Sequence, residues 1–168
     1  QLFSIGYDVG AERLDGSFYD LLASESRLGS FVAIAKGDVP VRHWYKLGRP
    51  LTLVGHHRAL RSWTGTMFEY LMPSLLMRSY RNTLLDQTCQ VIVQGQVAYG
   101  EETHVPWGIS ESAYNARDLQ LNYQYGPFGV PGLGFKRGLG DDLVIAPYAT
   151  ALALLVNPAA AVENLWRL

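Results

Sequence analysis

The sequence holds little that would mark a special environment. It has one cysteine, Cys89, in 168 residues, so no internal disulfide can form and a reducing compartment is permitted. Cys89 falls on an apolar periodic stretch, where a thiol serves as a small core filler. There is no basic block: 14 Lys and Arg stand against 15 Asp and Glu, a net charge of −1, which argues against nucleic acid as a partner. The longest apolar run, residues 143–156, is too short to cross a bilayer, so no membrane span is expected within the chain. No signal-peptide pattern follows Gln1. No His, Cys or carboxylate cluster has metal-ligand spacing, and the adjacent His56 and His57 diverge on a strand, so neither a metal nor a cofactor is expected. GPFGVPGLG lacks the Gly-Lys-Ser/Thr continuation of a phosphate loop.

What the chain does hold is concentrated in residues 105–134. One carboxylate, Glu111, stands there among Trp107, Tyr114, Asn115, Asn122, Tyr123, Gln124 and Tyr125. Flat aromatic faces with polar tips, beside amides that donate and accept, suit a sugar with its apolar ring faces and hydroxyl edges. A lone acid in that setting is a candidate for proton transfer or nucleophilic attack. The same composition also fits a glycine-rich aromatic loop packed under a helical domain, and both readings stand.

Elsewhere the pattern is helical. Phe18, Leu21, Leu22, Leu28, Val32 and Ala35 recur at helical spacing and predict a helix over residues 15–36, closed by Gly37 and Pro40. Glu25 falls in that stripe, where an acid is costly unless bonded or paired, Arg27 being the nearest candidate partner. Residues 49–63 predict a hairpin or irregular crossing that turns near Gly55 and His56. A second helix is expected over residues 64–77, capped by Thr64 or Thr66 and disturbed by Pro73. Glu69 in its first turn reads as an acid favoured by the helix dipole, with Glu69→Gln expected to be mild. A third helix is expected over residues 83–99, with Gly100 as its stop. Glycine and proline exclude a long regular element between Gly126 and Gly140. Two last helices are expected, one from Ala146 or Pro147 to Val156 and one starting at Pro158 with Asn157 as cap. The expected class is all-α, with long irregular loops and hardly any strand. The start at Gln1, the unfinished helical pattern at Leu168 and the 48% hydrophobic content lead us to expect a piece of a longer protein, poorly stable alone.

Six segments then carry a resemblance: DGSFYDLLASESRLGSFVAIAKGDVP, SWTGTMFEYLMP, NTLLDQT, VPWGISESAYNARDLQLNYQY, FGVPGLGFKRGL and LVIAPYATALAL. Together they resemble the glycoamylase-like domain of bacterial cyclic β-1,2-glucan synthases over nearly the whole chain. The resemblance implies part of an (α/α)6 barrel and action on linear β-1,2-glucan by a transglycosylation that closes the chain into a ring. It implies a larger polypeptide, with a membrane-embedded glycosyltransferase and a phosphorylase-like region, at the cytoplasmic face of the bacterial inner membrane.

Glycosidases set two carboxyl groups across the scissile bond. The resemblance points to the SESR and SES segments, which contain Glu25 and Glu111. Glu111 is assigned as nucleophile and Glu25 as acid/base, a retaining pair about 5–5.5 Å apart unless a substrate hydroxyl relays the proton. Trp63, Trp107, Tyr114, Asn115, Tyr123 and Tyr125 are the candidates for sugar subsites, and Glu69 is kept with them as a possible substrate contact. Two alternatives remain: an endo-β-1,2-glucanase-type hydrolase, and a catalytically inactive glucan-binding domain.

Overall fold

The segment before residue 21 is strand, not helix. In the computed structural model, which describes residues 2–168, β1 (Phe3–Ser4) pairs antiparallel with β4 (Phe18–Tyr19). Inside that hairpin, β2 (Tyr7–Asp8) pairs with β3 (Arg13–Leu14). Local side-chain bonds outcompete the helical spacing here. The Asp15 carboxylate accepts the Ser17 N–H at 2.7 Å, and the Ser24 hydroxyl accepts the Ser26 N–H at 3.2 Å. Both are turns that Asp and Ser favour over helix.

The first helix therefore starts late. α1 spans Arg27–Lys36 and ends on the left-handed Gly37, φ 81°. Its expected apolar stripe is not its buried face: Val32 and Ala35 are exposed, while Arg27 and Ser30 are buried. The polar face is inside because it has partners. Arg27 donates to the Tyr70 carbonyl at 2.7 Å and to the Glu69 carbonyl at 3.0 Å. Ser30 bonds His43 Nε2 at 3.0 Å, on the short α2 (Arg42–Lys46).

The middle of the chain follows its sequence signals more closely. β5 (Leu51–Val54) and β6 (His57–Leu60) form a hairpin that turns at Gly55 and His56. α3 (Met67–Leu71) starts at Thr66 and runs into a 3-10 turn over Met72–Leu75 that contains Pro73. α4 (Leu84–Thr103) is capped by Thr83, whose hydroxyl accepts the Asp86 N–H at 3.3 Å. It runs past Gly100, which stays helical. A Cβ there would meet the Trp107 Cβ at 2.9 Å, so this glycine permits close packing instead of stopping the helix.

The aromatic stretch contains a further hairpin that periodicity did not reveal, β7 (Ser112–Arg117) with β8 (Tyr123–Gly126). Asp118 shapes its turn: one carboxylate oxygen accepts the Gln120 and Asn122 N–H groups, each at 2.9 Å. Residues 127–146 are irregular, as their glycines and prolines require. α5 (Pro147–Ala153) and α6 (Pro158–Arg167) close the chain, with the Asn157 side chain accepting the Ala160 N–H at 3.2 Å.

The architecture is thus mixed α/β and not an all-α barrel: 37% helix, 19% strand, with four two-stranded antiparallel sheets among the described residues. The core gathers α3, α4, α5 and α6 around Met67, Tyr70, Leu71, Ile92, Val93 and Trp107, with Ala149, Ala153 and Ala161 allowing the last two helices to approach. None of the described helices is long and apolar enough to cross a membrane.

Candidate active site

Three carboxylates from three separated parts of the chain, Glu25, Glu69 and Glu111, are the acids of the candidate site, and Glu111 feels the charge of the other two. Glu69 is the third residue of α3 and completes a capping box with Thr66. It is only 6% exposed, and its oxygens are taken up by protein donors. The hydroxyls of Ser62 and Thr64 each donate at 2.8 Å, and the N–H groups of Thr64 and Thr66 donate at 3.1 and 3.2 Å. Burial pushes the Glu69 carboxyl above its ordinary pKa, and the Thr64, Ser62 and Thr66 donors oppose that shift. Glu69 is therefore the knot of the 62–66 loop, not a simple helix-terminal acid or a free substrate contact. Glu69→Gln brings an NH2 group against a set of donors, so we expect a loss of about 1–3 kcal/mol of stability, beside the mild effect on turnover expected from the sequence. Urea titration of the variant checks this, and an unchanged midpoint would show that the network is dispensable.

Glu25 lies in the turn before α1, half-buried, and not on a helical stripe. The Ser24 hydroxyl donates to it at 3.2 Å. Arg27 is not its ion-pair partner, because the guanidinium is spent on the carbonyls of Ser24, Glu69 and Tyr70. Those bonds fasten the Ser24–Glu25 turn to the C-terminal end of α3. The sequence alternative of an Arg27-neutralised acid gives way to an acid whose turn Arg27 holds.

Glu111 sits in the bend that leads into β7, also half-buried. Partial burial pushes its pKa up, the nearby Tyr125 hydroxyl pulls it down, and the charges of Glu25 and Glu69 push it up further. Tyr125 responds in kind: loss of hydration, then the nearby Glu111 carboxylate, raise its phenol to about 12. Register explains the encounter. Tyr125 pairs with Ala113, so its long side chain lies diagonally across from Glu111. Glu25, Glu69 and Tyr125 thus all act on the charge of Glu111, with Tyr125 exposed, Glu25 and Glu111 half-buried and Glu69 buried. Cavities of 390 and 260 Å³ lie elsewhere, the first lined by Leu2, Ser4, Leu14 and Phe18, the second by residues around His43. Among the described residues no group of three or more His, Cys, Asp or Glu side chains is arranged to hold a metal ion.

The aromatic candidates divide. Asn115, Tyr123 and Tyr125 are on the exposed face of the β7–β8 hairpin, with Arg117 donating to the Tyr123 hydroxyl at 2.6 Å. Tyr114 is on the opposite, half-buried face, edge-on to Phe128 with centroids 5.1 Å apart. Trp63 is 46% exposed, donates to Asp20 at 3.0 Å and leans on Phe135. It adjoins the 62–66 loop that Glu69 ties. Trp107 is a correction: it is 4% exposed in the core, its backbone bonded both ways to the Asn164 amide, so it offers no face to a sugar.

Sequence reasoning passed over Tyr148. Its hydroxyl donates to the Glu111 carbonyl at 2.7 Å and lies 2.9 Å from the Ser110 hydroxyl. The available signal was its place directly after Pro147, the residue that starts α5.

Residues 17–168 match the model of the Glycoamylase family. The chain is also 57% identical, over all 168 of its residues, to the cyclic beta-(1,2)-glucan synthase NdvB of Rhizobium meliloti (strain 1021). It spans 6% of that protein's length.

Proposed function

The chain belongs to the Glycoamylase family, and from that membership we propose that it acts on linear β-1,2-glucan by a retaining glycosyl transfer that closes the chain into a ring. What supports the reading is the 57% identity of the whole chain to a protein named for cyclic glucan synthesis, with the half-buried Glu111 lying diagonally across from the exposed Tyr125. In the mechanism we propose, the Glu111 carboxylate attacks the anomeric carbon while Glu25 gives its proton to the departing glycosidic oxygen. A glycosyl ester on Glu111 results. Glu25, now a carboxylate, takes the proton of a hydroxyl at the far end of the same glucan, and that oxygen displaces Glu111. Two displacements restore the starting anomeric configuration. Water in place of the hydroxyl gives hydrolysis, the near alternative. Tyr123, Tyr125, Asn115 and Trp63 are the proposed sugar contacts.

One observation favours the reverse assignment. The Glu111 pKa is raised, which suits an acid more than a nucleophile. Azide separates the roles. Glu111→Ala supplied with azide should yield the α-glycosyl azide by single inversion, and Glu25→Ala the β-glycosyl azide by double inversion. The opposite pattern would exchange the two roles, and no azide product from either variant would remove both acids from the mechanism.

The pH dependence carries its own test. Tyr125 opposes the upward shift of Glu111, so Tyr125→Phe raises that pKa further. A nucleophile must be ionised, and the acid limb of kcat/KM should therefore move to higher pH. A limb that stays in place would mean that the phenol does not act on Glu111.

We further propose that, in the longer polypeptide, these residues work beside a membrane-embedded glycosyltransferase and a phosphorylase-like region. They would close the linear glucan made at the cytoplasmic face of the inner membrane.

A further inference from the structure

We propose that Tyr148 is a positioning residue for Glu111, its hydroxyl holding the Glu111 main chain and so fixing where the Glu111 carboxyl points. This rests on the reading of Glu111 as a reacting group. Ladder pairing of the β7–β8 hairpin begins only at Ser112, opposite Gly126, so Glu111 lies outside it. Tyr148 supplies an anchor at that point. Its hydroxyl is 2.7 Å from the Glu111 carbonyl and 2.9 Å from the Ser110 hydroxyl, which itself accepts the Phe68 N–H at 3.0 Å. The Tyr148 ring meets Phe68 edge-on, centroids 6.3 Å apart. One phenol therefore joins the start of α5, the first turn of α3 and the bend before β7. Since Phe68 directly precedes Glu69, and Arg27 bonds the Glu69 and Tyr70 carbonyls, the same node is connected through α3 to the turn that carries Glu25. The separation of Glu25 and Glu111 is thereby set through α3 and not through the hairpin alone. Tyr148 is 40% exposed, so its hydroxyl bonds this bend without being part of the core.

The test uses the full polypeptide that carries this chain, with linear β-1,2-glucan as substrate. Tyr148→Phe removes one oxygen and keeps the ring. We expect kcat to fall by about tenfold to a hundredfold, the cost of a misplaced reacting group, with KM and the thermal midpoint unchanged. Replacing Tyr148 by 4-aminophenylalanine, which returns a donor to the same place, should restore most of kcat. A wild-type kcat in Tyr148→Phe, a fall in kcat matched by a fall in thermal midpoint, or no recovery with 4-aminophenylalanine overturns the proposal. Glu111→Gln run in parallel separates the two levels. An inactive Glu111→Gln beside an unaffected Tyr148→Phe overturns the positioning role alone, whereas an active Glu111→Gln overturns the reading of Glu111 and the positioning role with it.

Discussion

Glu111→Gln is expected to abolish glucan turnover while leaving the fold intact. The substitution removes an ionisable group and changes side-chain volume hardly at all. Glu111 is half-buried, in a bend outside the ladder, and its backbone anchor to Tyr148 is a main-chain carbonyl that the variant keeps. Stability therefore has little to lose. Chemistry has much to lose, because an amide neither attacks an anomeric carbon nor leaves as a carboxylate. Loss of a catalytic group of this kind typically costs several orders of magnitude, on the order of 10⁴-fold or more in kcat. Rate measurement beside a thermal melt checks both halves. Turnover within a few-fold of wild type removes Glu111 from the mechanism, and a lost fold shows that its role was structural.

A large loss of stability is expected from Gly134→Ala. Residues 62–65 and 130–136 cross with their backbones in contact. Ser62 donates to the Leu133 carbonyl at 3.1 Å, Phe135 to the Ser62 carbonyl at 3.1 Å and Lys136 to the Trp63 carbonyl at 2.8 Å. A Cβ on Gly134 would come within 2.5 Å of both the Gly65 nitrogen and the Thr64 carbonyl carbon, and backbone cannot swing aside as a side chain can. The crossing must open, which costs about 3 kcal/mol or more on the scale of overpacking. It would also disturb the loop whose donors hold Glu69, and with it the seat of α3. A urea midpoint equal to that of the wild type would contradict this account of the crossing.

These residues show where the sequence was readable. The cap at Asn157, the cap at Thr66 that was one of two offered, and the turn at Gly55 were legible, because each is a local device whose side chain or missing Cβ acts within a few residues. The glycines of residues 126–140 were legible as breakers, but not as spacers: nothing near Gly134 in sequence announces that Thr64 and Gly65 will lie against it. The helix expected over residues 15–36 failed for a related reason. Spacing alone made Phe18, Leu21, Leu22, Leu28 and Val32 one buried stripe. The Asp15–Ser17 and Ser24–Ser26 turns break that stripe, and the partners of Arg27 and Ser30 turn the remaining helix polar face inward. With the all-α expectation went the helical setting of Glu25.

The site was legible in part. Glu111 stood out as the lone acid among aromatics, and Glu25 through the resemblance. How their loops are held could not be read, since Arg27 bonds the Glu69 and Tyr70 carbonyls and Tyr148 the Glu111 carbonyl from far along the chain. Trp107 was misplaced because a Trp beside an acid looks like a sugar platform until Gly100 and Asn164 are seen to enclose it.

The central claim is that Glu111 and Glu25 together break and remake a β-1,2-glucosidic bond. The most direct measurement is the mass of the products that the full polypeptide forms from linear β-1,2-glucan, compared between wild type and Glu111→Gln. The account predicts glucans lighter than their linear counterparts by one water, the signature of ring closure, from the wild type alone. Glucan left unchanged by the wild type, or rings formed equally well by Glu111→Gln, would contradict it.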